Sequence, residues 1–147
     1  MEVKNVFVIG AGLMGGGIAQ VAAQAGYQVH LCDVSEEAVQ RGKLRIAQGL
    51  EGRVKKGKLT EERRDEILAA IQTTCDYGDC SGCDLIIEAV YENEAVKKDV
   101  LQQVSAACSE NAIIATNTSS ISIAELSKSV KKPQNFLGIV HGSSSFR

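Results

Sequence analysis

Val6-Phe7-Val8-Ile9-Gly10-Ala11-Gly12-Leu13-Met14-Gly15 is the stretch on which the reading of this chain turns. Four apolar residues in a row, closed at once by glycine, describe a strand buried on both faces, as in a parallel sheet. Helix-compatible sequence runs from Leu13 to Ala25, and Gly26 is placed to end it. Tyr27 to Cys32 reads as a second strand, finishing at Asp33. Strand, helix and strand at this spacing make one βαβ unit, whose crossover is right-handed in nearly all proteins.

Gly10-Ala11-Gly12-Leu13-Met14-Gly15 also matches G-x-G-x-x-G. The pattern alone is weak, but here it follows a strand, opens a helix, and has an acidic residue at the end of the next strand. Each glycine has its own reason. Gly10 permits the tight turn, Gly12 lets backbone approach a pyrophosphate, and Gly15 lets helix and strand pack closely. The helix N-terminus then offers N–H groups to the anion. Asp33 can accept hydrogen bonds from a ribose 2′-hydroxyl and would repel a 2′-phosphate, so NAD is expected over NADP. The competing reading is a glycine-rich turn that holds nothing.

Outward from this unit, Ser35 can cap a helix that starts with Glu36 and Glu37 and runs past Val54 to a turn near Gly57. Thr60 caps another, with Ile67, Leu68 and Ile71 on its apolar face. Two helices in succession exceed what a plain crossover needs, so residues 36–72 read as a helical hairpin inserted in the sheet framework. Alternation then resumes: strand Leu85–Ile87, helix Asn93–Cys108, strand Ala112–Ala115, helix Ile123–Ser129 and strand Phe136–Val140. The expected fold is α/β, a doubly wound (Rossmann) parallel sheet occupying residues 1–140.

Composition narrows the class. The chain has 147 residues, enough for one domain with its own core, and 44% hydrophobic with 23% charged residues argues against disorder. A net charge of -2 gives no push toward nucleic acid or a membrane surface. No apolar run reaches the roughly 20 residues of a membrane span, and the N-terminus runs straight into strand pattern, so neither anchor nor leader is expected. Five scattered cysteines suit free thiols in a reducing cytoplasm.

Three stretches together resemble one family. Gly10–Ala19 (Gly-Ala-Gly-Leu-Met-Gly-Gly-Gly-Ile-Ala), Leu85–Asn93 (Leu-Ile-Ile-Glu-Ala-Val-Tyr-Glu-Asn) followed by Lys97, and Thr116–Ile121 (Thr-Asn-Thr-Ser-Ser-Ile) look like the 3-hydroxyacyl-CoA dehydrogenases, most of all the bacterial 3-hydroxybutyryl-CoA enzymes. The resemblance covers about residues 3–139. It implies an NAD-dependent oxidoreductase of fatty acid and butyrate metabolism. The reaction would be reversible hydride transfer between C3 of a 3-hydroxyacyl-CoA and NAD, giving acetoacetyl-CoA from 3-hydroxybutyryl-CoA. It also implies a following all-helical dimerisation domain, absent from these residues, and a homodimer or higher homo-oligomer.

Residue by residue, the resemblance carries Glu92 to the nicotinamide ribose and Lys97 to the cofactor. Without a ligand, the same pair reads as a helix-start carboxylate and a solvated lysine. Ser119 matches the serine that hydrogen-bonds the substrate's 3-oxygen and also lies against the cofactor, with Asn117 beside it. A hydroxyl can donate to a ketone or accept from an alcohol, so it suits both directions. Lys56, in a basic cluster with Arg53, Lys55 and Lys58, matches a lysine that binds the nucleotide part of coenzyme A. A basic helix end is also commonly just solvated.

His141 is the nearest match to the family's catalytic histidine, which lies in a Gly-x-His-Phe-Phe-Asn-Pro-like run. Here Gly138-Ile139-Val140-His141-Gly142-Ser143 has one extra residue before the histidine and lacks Phe-Phe-Asn-Pro. A one-residue shift along a strand turns a side chain to the opposite face. Residues 141–147 therefore read as an aberrant or truncated tail, and this chain is expected to bind NAD while being inactive alone. The rival to an enzyme is a non-catalytic nucleotide-binding module. Cys75-x4-Cys80-x2-Cys83 with Cys108 formally has [2Fe–2S] spacing, but lies in βα-patterned chain where thiols fill cores, so no metal is expected.

Overall fold

The computed structural model describes residues 2–118 and 120–139. Its centre is a six-stranded, all-parallel sheet in the order β3-β2-β1-β4-β5-β6. The strands are β1 (Asn5–Ile9), β2 (Gln28–Cys32), β3 (Ile71–Thr74), β4 (Leu85–Glu88), β5 (Ile113–Asn117) and β6 (Phe136–Ile139). Helices α1 (Leu13–Gln24), α2 (Glu36–Lys55), α3 (Glu61–Ala69), α4 (Glu94–Ala107) and α5 (Ile123–Ser127) connect them.

The apolar run that opens the chain does what its pattern requires. Val6 and Val8 enter the core formed with α1, α2 and α3, whereas Phe7 and Ile9 enter the core formed with α4 and α5. A strand so sandwiched has no solvent face, which is why β1 shows no alternation of polar and apolar residues. After β1 the chain winds to β2 and β3 on one side, then crosses back to set β4 against β1. The strand order reverses between β1 and β4, and such reversals leave a crevice at the strands' carboxyl ends.

Helix ends follow local chemistry. Ser35, Thr60, Asn93 and Ser122 each accept a backbone N–H from the first turn of α2, α3, α4 and α5. Gly26, at φ +98°, ends α1: Tyr27 N–H donates to the Ala22 carbonyl and Gly26 N–H to that of Ala23, a Schellman closure.

The segment read as a helical hairpin through residue 72 needs one correction. The second helix stops at Ala69, and Ile71 opens the edge strand β3 instead of completing a helical apolar face. Ile71 is buried in either setting, so periodicity over so short a run could not separate helix from strand. The two helices form the crossover from β2 to β3. Smaller shifts affect β5, which extends to Asn117, and α5, which ends at Ser127.

All five cysteines are free thiols. Cys80 and Cys83 are packed in the α4-side core, Cys75 is exposed, and no His, Cys, Asp and Glu group among the described residues could hold a metal. No helix among the described residues is long and apolar enough to cross a membrane.

Candidate functional site

The glycine-rich turn leaves β1 directly at the β1/β4 reversal. Gly10 has φ +106°, and a Cβ there would lie 2.5 Å from the Ala89 carbonyl oxygen at the end of β4. Both conformation and packing therefore exclude any other residue. A Cβ on Gly15 would fall on the Gly10 carbonyl oxygen, so the first turn of α1 sits flush against the strand-to-helix turn. Gly12 differs: a Cβ there meets nothing within 4 Å. The protein does not need glycine at this position for its own packing.

Gly12 is also the N-cap of α1, and it makes no side-chain cap. The other four α-helices are all capped by a side chain. Open space in front of an uncapped helix N-terminus is the arrangement that receives a phosphate, through first-turn N–H groups and the positive end of the helix dipole.

Asp33 flanks this turn. Its Oδ2 accepts the Ala11 N–H at 2.8 Å and its Oδ1 accepts the Val34 N–H at 2.7 Å. The carboxylate thus fixes the glycine turn while each oxygen keeps further lone-pair capacity for a ribose hydroxyl. Beyond it, Val34, Cys75, Asp76, Tyr77 and Gly78 border an open depression of about 550 Å³. Sequence reasoning did not reach this depression, because most of its rim follows β3, whose first two residues fall within the helical reading of residues 36–72.

The other side of the crevice is built from the ends of β4 and β5. Glu92 ties the loops after them together: its carboxylate accepts Thr118 Oγ1 at 2.8 Å, Ser120 Oγ at 2.8 Å and Ser120 N–H at 3.0 Å. Lys97 lies beneath, fully buried, and is not the solvated lysine of the ligand-free reading. Its Nζ donates to Glu88 Oε2 at 2.7 Å, to the Asn117 carbonyl at 2.8 Å and to the Val90 carbonyl at 3.0 Å. Asn117 ends β5, and its buried Oδ1 has no hydrogen-bond partner among the described residues.

Leu13 and Met14, the variable residues of the turn, are 80% and 43% exposed beside Gly12. Lys56 caps the carboxyl end of α2 and is exposed together with Arg53, Lys55 and Lys58. Placing cations there also satisfies the negative end of the helix dipole. Ser119 and His141 lie outside the described residues. The elements thus bring together Gly10, Ala11, Gly12, Gly15 and Asp33 on one side of the β1/β4 crevice and Glu92, Lys97 and Asn117 on the other.

The chain matches the family model for the 3-hydroxyacyl-CoA dehydrogenase NAD-binding domain over residues 5–142. It is 46% identical to the fatty acid oxidation complex subunit alpha of Pseudomonas syringae pv. syringae, over 94% of this chain but 19% of that protein. The crystal structure of (S)-3-hydroxybutyryl-CoA dehydrogenase from Ralstonia eutropha superposes with a TM-score of 0.93 at 39% identity, covering 98% of this chain and 51% of that one. For 3-hydroxybutyryl-CoA dehydrogenase from Escherichia coli K12 the values are 0.93 and 39%, covering 99% and 31%. The chain therefore spans between a fifth and a half of these relatives. Such likeness, across the glycine turn and both sides of the crevice, makes the chain a member of the 3-hydroxyacyl-CoA dehydrogenase family, and the part it represents is the NAD-binding domain.

Proposed function

We propose that the domain holds NAD across the β1/β4 crevice and serves reversible hydride transfer between its nicotinamide and C3 of a 3-hydroxyacyl-CoA, with 3-hydroxybutyryl-CoA as substrate. The observation that carries this reading is the open cradle at Gly12, before an uncapped helix and beside a carboxylate already turned toward the loop. The pyrophosphate fits the cradle, the adenosine ribose fits Asp33, and the depression bordered by Val34 and Tyr77 suits the adenine.

Bound NAD would supply the hydride acceptor, and the chain's task is then orientation and proton handling. Glu92, at the far side of the crevice, suits the nicotinamide ribose. Ser119 and Asn117 would hold the substrate's 3-oxygen, and the buried Asn117 Oδ1, without a partner among the described residues, supports a polar ligand at that point. His141 is the candidate to take the hydroxyl proton, a role that favours a group titrating near neutrality. Lys56 would attract a phosphate of coenzyme A. The named relatives are two to five times as long as the part matched here, so the 147 residues are proposed to bind NAD yet turn substrate over poorly by themselves. Residues 1–140 form the cofactor half in this reading, and a homo-oligomer in the cytoplasm fits the complete enzyme.

The test is a pair of measurements on the chain: acetoacetyl-CoA binding to its NADH complex by calorimetry, and NADH absorbance over time in the same mixture. Saturable acetoacetyl-CoA binding, weakened by Lys56→Ala, with an almost flat absorbance trace is expected. Lack of acetoacetyl-CoA binding at any cofactor concentration would sink the substrate assignment, and turnover near one per second would show that the tail carries a working base.

A further inference from the structure

Arg41, Arg63 and Arg64 of the α2–α3 crossover each meet a carboxylate, in Glu37, Glu66 and Glu51. Arg45, exposed near the middle of α2, forms no ion pair among the described residues. Its Nη1 donates instead to the Ala11 carbonyl at 3.4 Å, inside the glycine-rich turn. That reach depends on how close α2 comes to the turn. A Cβ on Gly42, one helical turn before Arg45, would lie 2.6 Å from the same Ala11 oxygen.

Both backbone groups of Ala11 are therefore held by charged side chains. Asp33 Oδ2 accepts its N–H at 2.8 Å, and Arg45 donates to its carbonyl. The peptide joining Ala11 to Gly12 is trans and planar, so the Gly12 N–H points away from that carbonyl and away from α2. Anchoring α2 does not require the arginine. Val39, Ile46 and Leu50 are buried in the core, and Lys43 Nζ donates to the Ile71 carbonyl at 2.8 Å. Charge balance gives Arg45 a different use. The turn assigned to a diphosphate already carries the Asp33 carboxylate, while the α1 dipole offers only about half a positive charge. A full positive charge at Ala11 offsets Asp33 beside that turn.

We propose that Arg45 is a positioning residue for the cofactor's pyrophosphate, a role that rests on NAD occupying the β1/β4 crevice. It fixes the plane of the Ala11–Gly12 peptide from the α2 side and raises the positive potential at the glycine turn. Phosphate-bearing ligands gain from it, and a ligand without phosphate does not. Because Arg45 is exposed, its effect is screened by salt.

NADH, ADP and adenosine separate these roles when titrated into wild-type chain, Arg45→Gln and Arg45→Lys at low and high salt, with thermal midpoints recorded alongside. Arg45→Gln is expected to bind NADH and ADP at least fivefold more weakly at low salt and adenosine within twofold of wild type. At about 0.5 M salt, where screening acts over roughly 4 Å, the gap should close to within twofold. Arg45→Lys, which keeps the charge, should stay within threefold throughout. Wild-type affinity of Arg45→Gln for NADH and ADP would overturn the proposal, as would an equal loss for adenosine or a loss that salt leaves unchanged. An Arg45→Gln chain that does not fold would make Arg45 a packing residue and overturn it too. A wild-type chain that binds neither ADP nor NADH would instead remove the cofactor reading, and this inference with it.

Discussion

Two substitutions three residues apart, Gly12→Ala and Gly15→Ala, should fail in opposite ways. At Gly12 the new methyl meets no protein atom within 4 Å, and φ is -74°, which alanine adopts freely. Alanine is a poorer N-cap than glycine by roughly 0.5–1 kcal/mol, while the stiffer unfolded chain returns about 0.4–1 kcal/mol. The two nearly cancel, so the thermal midpoint should hold within a few degrees. The methyl does occupy the space assigned to the pyrophosphate, and NADH affinity should fall at least about tenfold, the equivalent of about 1.4 kcal/mol. At Gly15 the methyl coincides with the Gly10 carbonyl oxygen, a backbone atom that cannot move aside as a side chain would. Overpacking of this kind costs about 3 kcal/mol or more, which at this chain length is a drop of about 6–12 °C. Differential scanning fluorimetry with NADH titration reads both. A Gly12→Ala chain that binds NADH normally, or a Gly15→Ala chain with an unchanged midpoint, would refute the separate roles given to these glycines.

Thiol chemistry offers further checks. Burial pushes the Cys32 and Cys80 thiols up to about 12 and Cys83 to about 11, so at neutral pH a disulfide reagent should modify exposed Cys75 first and all five only in denaturant. Because these native values lie above the ordinary thiol value of 9.0, the unfolded chain loses protons first. The thiols' contribution to stability should be level below pH 9 and decline from there toward pH 12. A urea midpoint that rises between pH 9 and 11 would contradict this. Thr60→Ala, which removes the acceptor 3.1 Å from the Arg63 N–H, should cost about 1 kcal/mol, or about 2–4 °C, with NADH affinity unchanged. Loss of binding in that variant would mean that α3 reaches the cofactor.

Much of this was legible beforehand because single residues leave few options. A glycine at φ +106° wedged against Ala89, the Ser35 and Thr60 caps, and strands buried on both faces all have sequence signatures that survive without tertiary context. The edge strand β3 does not. Ile71-Gln72-Thr73-Thr74 is four residues with one buried apolar side chain, and it becomes a strand only because Val29–Cys32 lies alongside. Lys97 was legible as a site residue through family resemblance, but its burial was not. Its partners Glu88, Val90 and Asn117 converge through the sheet register, and nothing in local spacing marks an internal ammonium.

The most direct test of the account is calorimetric titration of the chain with NADH and with NADPH under identical salt. In the proposed binding mode Asp33, held toward the glycine turn by the Ala11 and Val34 N–H groups, would set its charge against a 2′-phosphate. The account predicts saturable NADH binding at least about tenfold tighter than NADPH, equivalent to about 1.4 kcal/mol, with Asp33→Asn narrowing the gap. Equal affinity for the two cofactors, or no saturable binding of either, would contradict it.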